Sequence, residues 1–124
     1  MFGGGALVIY RFDQEVGRAI GAYNSTNLIM SRIITSEKTG SFHIGCMYLG
    51  ANGNVGYHQT ATNQLFLVVQ GEGWVRSGDH HKMNIKAGQA AFWIAGEWHE
   101  SGTESGMMAI VIESDSLDPI IMNT

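Results

Sequence analysis

The sequence contains one cysteine, one proline and only 15% charged residues in 124 positions, and no apolar run in it approaches the length of a membrane span. Each scarcity excludes something. Cys46 stands alone, so no intrachain disulfide can form, which agrees with a reducing compartment. The formal charge of -4 leaves no basic footprint for nucleic acid or for an anionic membrane. The opening MFGGGALVIYRFDQ lacks a basic leader and a long enough apolar segment for secretion, so the expected location is cytoplasmic. The sequon at Asn24, Ser25 and Thr26 would then not meet the glycosylation machinery. Gly3, Gly4 and Gly5 are not followed by the Gly-Lys-Ser/Thr of a phosphate loop, and no Ser-His-Asp order or nucleophile elbow is present.

What is present is apolar side chain, at 44%, and glycine, at 17 residues, which with so little proline implies a packed chain with many tight turns. Short runs rich in β-branched and aromatic residues, separated by glycine, predict strands at 6–12, 28–35, 42–49, 65–69, 74–76, 81–85, 89–94, 98–101 and 107–113. Residues 37–40 and 77–79 read as turns, the Asn/Gly cluster at 50–56 reads as the end of a strand, and 13–27 has no clear pattern. Many short strands and no long helical period imply an all-β sandwich or barrel. With no repeat or linker, residues 1–124 read as a single domain. Segments 65–69, 90–94 and 107–112 are apolar at both parities, so their outer faces need a cover. A second copy of the chain, making a homodimer, is the expected cover; folding back of the N-terminal third is the alternative.

The chemistry concentrates in residues 57–71, YHQTATNQLFLVVQG, where His58, Thr60 and Gln64 at even spacing feed into an unbroken apolar run. From His58, one residue leads to Thr60, three more to Gln64 and six more to Gly71. Further on, Gly88 is followed by five residues, then Ile94, Ala95 and Gly96, two residues, His99, three residues and Thr103. This spacing resembles the two motifs of the cupin superfamily, over roughly residues 47–113, with N-terminal strands expected at about 6–35. The resemblance implies a double-stranded β-helix, the jelly-roll barrel. It also implies a divalent metal, commonly iron, manganese, nickel or zinc, held by three histidines and a glutamate.

Here His58 and His99 occupy two of those positions, while Thr60 stands for the second histidine and Gln64 for the glutamate. Ile94 replaces the family's proline and Thr103 its asparagine, and Asn52 sits at the place of its leading glycine, with Gly53 beside it. A neutral amide or hydroxyl is a poor ligand beside imidazole, and losing the carboxylate removes the charge that offsets the ion. The expected metal set is therefore a weak one of His58, Gln64 and His99. Thr60 joins as a candidate, and so does Glu97, two residues before His99, unless it is a solvated loop carboxylate. His43 lies on the preceding strand within reach of a cavity, and adjacent His80 and His81 point to opposite faces as exposed hairpin residues. Thr60, Phe66, Phe92 and Trp98 are the expected ligand-binding residues, in a pocket flanked also by Trp93, Met47 and Tyr48.

Three functions fit these residues. One is a small-molecule-binding protein with a degenerate metal site. Another is a metal-dependent enzyme, oxygenase or isomerase in type, on a small organic substrate, with His58 a possible general base. The last is a structural dimer without turnover.

Overall fold

The computed structural model describes residues 11, 13–36, 42–117 and 119, with 34–36 described as backbone only. Its strands are β1 (Arg18–Ala19), β2 (Thr26–Ser36), β3 (Phe42–Gln59), β4 (Gln64–Ser77), β5 (Met83–Lys86), β6 (Ala90–Trp93), β7 (Trp98–Gly102) and β8 (Met107–Ser114). All pairings are antiparallel. Among the described residues no helix is long and apolar enough to cross a membrane.

β3 and β4 are long because each serves two sheets. The first part of β3 lies between β2 and β8, and from Asn54 onward the same strand pairs with β7. β4 lies between β8 and β6 as far as Gly71, then between β7 and β5. Two facing sheets that share bent strands close into a barrel around one core.

The bends explain two features of the sequence. The Asn/Gly cluster at 50–56, expected to end a strand, instead turns a corner within β3. Asn52 there has φ 59°, the left-handed region that asparagine tolerates better than most residues, which accounts for its standing where the related motif has glycine. At the matching corner of β4, Gly71 has φ 81°, and a Cβ on it would lie 2.3 Å from the Gly106 carbonyl oxygen. Likewise, the expected short strand at 74–76 is the second half of β4, not a separate element.

Inside the barrel, Phe66 and Val68 of β4 meet Met47 and Leu49 of β3, Trp93 of β6 and the alternate residues Met107, Ala109 and Val111 of β8. Phe66, only 1% exposed, contributes ~1.5–3 kcal/mol by burial. The runs apolar at both parities are not covered throughout: Val69 is 46% and Ile94 56% exposed. Residues 13–27 form two short 3-10 turns, at Gln14–Val16 and Ala22–Asn24, around β1. The strand expected at 6–12, Arg11 apart, and the turn expected at 37–40 lie outside the described residues.

Candidate functional site

His58 is the penultimate residue of β3 and His99 the second of β7, and the ladder between those strands sets them directly opposite each other. Both rings enter the barrel, with their Nε2 atoms 3.2 Å apart. His58 Nδ1 lies 2.7 Å from the Gly56 carbonyl, which can only accept, so that nitrogen donates and Nε2 is left to accept. His99 then donates from its own Nε2, leaving its Nδ1 buried without a partner among the described residues. His99 is 4% exposed and meets the edge of Trp93 at 4.5 Å between ring centroids. Burial, and then the proximity of His58, push its pKa from 6.5 down to about 4, against an opposing pull from Glu97. His99 is therefore neutral at pH ~7.

The chain around this pair is held by two connections stapled to each other. Thr60 donates its N–H to the Glu97 carbonyl at 2.7 Å and accepts from the Gly96 N–H at 2.8 Å. Asn63 Oδ1 accepts from the Ala95 N–H at 2.9 Å, and its amide nitrogen donates to the Leu117 carbonyl. Gly96 makes this turn with φ 93°. The carboxylate of Glu97 is taken up by the same turn, accepting from the Ile94 N–H at 2.8 Å and from the Ser77 hydroxyl at 2.5 Å. Proline at position 94 would have no N–H to give, so isoleucine there and glutamate at 97 form a linked pair. Thr103 has a comparable role: its hydroxyl, 3% exposed with its residue, donates to the Glu72 carbonyl and accepts from the Gly106 N–H.

A row of four cross-strand partners runs across the other part of the sheet, His43 on β3, Glu113 on β8, Gln64 on β4 and Trp93 on β6, and Trp93 brings it against His99. Gln64 is buried and donates its amide to Glu113 Oε2 at 3.4 Å. Thr60 is buried nearby in the chain with its hydroxyl unpartnered among the described residues. Glu113 was not among the residues singled out from sequence, although it shares the inward parity of Ala109 and Val111.

Two expected ligand-binding residues face the other way. Phe92 and Trp98, 38% and 47% exposed, alternate with inward Trp93 and His99, so strand parity puts them on the outer surface. Trp98 stacks there on Tyr57, over which the Arg76 guanidinium lies. Phe66 is a core residue beneath Trp93. Glu100 pairs with Arg76 at 2.7 Å with its side chain only 16% exposed. His80 and His81 are exposed as expected.

Tyr23 carries no motif signal, yet it covers the outer side of His58, parallel to it within 3° and 3.9 Å away by centroid. It is held there by a left-handed backbone, φ 58°, and by Gly56, where a Cβ would meet the Tyr23 carbonyl oxygen at 1.6 Å. Ser25 fixes the segment by accepting from the Gly56 N–H.

For a metal, the donor set fits in part. Two Nε2 atoms 3.2 Å apart have the separation of nitrogens sharing one ion at ~2.0–2.1 Å each. His58 also has the supporting Nδ1 hydrogen bond that orients a ligand, whereas His99 lacks one. No group of three His, Cys, Asp or Glu able to hold an ion occurs among the described residues. The three-histidine, one-glutamate set of the resemblance is thus reduced to two nitrogens.

An antiparallel barrel of two sheets sharing bent strands is the architecture of the double-stranded β-helix class. The fold is that of the cupins. A predicted oxalate decarboxylase from Thermotoga maritima matches with TM-score 0.72 at 18% identity, over 85% of this chain and 96% of that one. The polyketide cyclase RemF from Streptomyces resistomycificus matches at 0.69 and 15% identity, over 94% and 88%. An RmlC-like cupin from Methanocaldococcus jannaschii matches at 0.67 and 13% identity, over 90% and 93%. No protein-family model and no curated protein matches the sequence.

Proposed function

We propose that the protein binds a small organic molecule in the mouth of its barrel, beside a weak divalent-metal site made by His58 and His99. The observation that carries this reading is the convergence of two imidazoles, His58 and the buried, neutral His99, with Nε2 atoms 3.2 Å apart beside the ring of Trp93. A bound ion would supply Lewis acidity at that point. The protein's own groups bind and orient. Nε2 of His58 accepts, and Trp93 supplies an apolar wall beside His99. Imidazole without a third anionic ligand holds first-row metals loosely, so binding of the organic molecule is the principal activity.

Titration of tag-free, chelator-treated protein with zinc or nickel tests this. One ion per chain is expected, removable by EDTA and lost in both His58→Ala and His99→Ala; no uptake by the wild type would overturn the metal half of the reading. A metal-dependent enzyme is the second reading, favoured by the same nitrogens and by likeness to a predicted oxalate decarboxylase and a polyketide cyclase. Turnover of an organic substrate by the metal-loaded protein separates the two.

The outer face of the sheet carries the apolar cross-strand row Ile44, Ile112, Leu65 and Phe92. A second copy of the chain is its proposed partner, and sedimentation showing only monomer at micromolar concentration would remove it.

A further inference from the structure

The cavity of about 350 Å³ beside the polar row is lined by Arg32, His43 and Glu113 together with Met30, Ile44 and Val111. Its floor is built by register. Arg32 on β2 is the partner of Gly45 on β3, which is the partner of Val111 on β8, and one row further out His43 is the partner of Glu113. The space over Gly45 is taken by the Met30 side chain: a Cβ there would come within 2.6 Å of the Met30 sulfur. A glycine inside a strand commonly marks a place where something approaches the backbone closely.

The charges in this cavity are opposite and unspent. Arg32 forms no ion pair among the described residues, with Glu113 or with any other carboxylate. Among the described residues Glu113 accepts only the long 3.4 Å hydrogen bond from Gln64. A guanidinium binds a carboxylate through paired N–H groups, and a carboxylate binds an ammonium. A ligand bearing one charge alone would satisfy one group and be repelled by the other. A ligand bearing both satisfies both, and the sulfur and aliphatic walls leave room for an apolar side chain.

We propose that this cavity is a subsite for a zwitterion, an amino acid with an apolar side chain. Its carboxylate lies on Arg32, its ammonium on Glu113, and its side chain against Met30 and Val111. The assignment rests on the small-molecule reading above and names a ligand class for a cavity that shares His43 and Glu113 with the polar row.

The test is calorimetric titration with L-leucine, with 4-methylpentanoate, which lacks the amine, and with 3-methylbutylamine, which lacks the carboxylate. Leucine is expected to bind at least about tenfold more tightly than either analogue, the scale of one charge-assisted hydrogen bond. Glu113→Gln should abolish the preference over 4-methylpentanoate, Arg32→Gln the preference over the amine, and Gly45→Leu should block all three. Equal affinity for the three compounds, no leucine binding, or variants that keep the wild-type preferences would overturn the assignment. Zinc titration of the same samples reports on the histidine pair separately. Zinc uptake without leucine preference discards the zwitterion subsite alone, and loss of both discards the metal half of the parent reading as well.

Discussion

Lowering the pH is expected to destabilise this protein through His99. Its pKa in the folded chain is about 4, below the ordinary 6.5, because the ring is buried with only His58 for a polar partner. Between those values the unfolded chain binds a proton that the folded chain refuses. The stability that neutral His99 contributes is therefore complete above pH ~6.5 and drains away as the pH falls toward ~4. At ~1.4 kcal/mol per pH unit the loss amounts to about 3 kcal/mol, a large share of the ~5–15 kcal/mol that holds a domain folded. Urea unfolding across this range, with EDTA present, measures it. Carboxylates titrate in the same interval, so the informative quantity is the difference from His99→Phe. That variant keeps a ring edge against Trp93 and has nothing to protonate. Its stability curve should be flatter than the wild type's by about 3 kcal/mol between the two ends. Parallel curves would refute the assignment of a buried, neutral His99.

Other perturbations have definite expected outcomes. Gly56→Ala should cost at least ~2 kcal/mol in thermal or urea unfolding, because its Cβ would meet backbone at the Tyr23 carbonyl, which cannot rotate away. Tyr23→Gly removes a ring stack worth ~0.5–1.5 kcal/mol but relieves a left-handed tyrosine worth ~1–2 kcal/mol, so stability should change little. His58 in that variant should react faster with diethyl pyrocarbonate, and an unchanged rate would mean Tyr23 is no cover. Thr103→Val keeps the shape and deletes two hydrogen bonds, leaving the Glu72 carbonyl and the Gly106 N–H unpaired. A loss of ~2–3 kcal/mol in urea unfolding is expected. Arg76→Ala, which breaks the half-buried pair with Glu100, should cost only ~1 kcal/mol in the same assay.

Much of the fold was legible in the sequence. The strands from Met83 onward fall within a residue or two of their expected places, because glycines bound them and β-branched or aromatic residues fill them. The errors fall on β3 and β4. An Asn/Gly cluster looks the same whether it ends a strand or bends one through a corner, and only the pairing of β3 with β2, β8 and β7 distinguishes these. The site was legible where spacing is rigid and obscure where facing decides. Phe92 and Trp93 are equally aromatic, and one register step sends the first to solvent and the second against His99.

The sequence by itself determined that the chain is all-β, and its resemblance to the cupin motifs made His58 and His99 the candidate ligands and put glutamine where that family has a carboxylate. These follow from residue type and local spacing, which the chain carries without folding. Tertiary structure alone decided the rest. It set two imidazoles from positions 58 and 99 at 3.2 Å, spent Glu97 on a turn, laid Tyr23 over His58, and put Glu113 beside Gln64. The physical reason is that ladder register between strands distant in sequence selects which side chains meet, and register is fixed by the packing of the whole barrel.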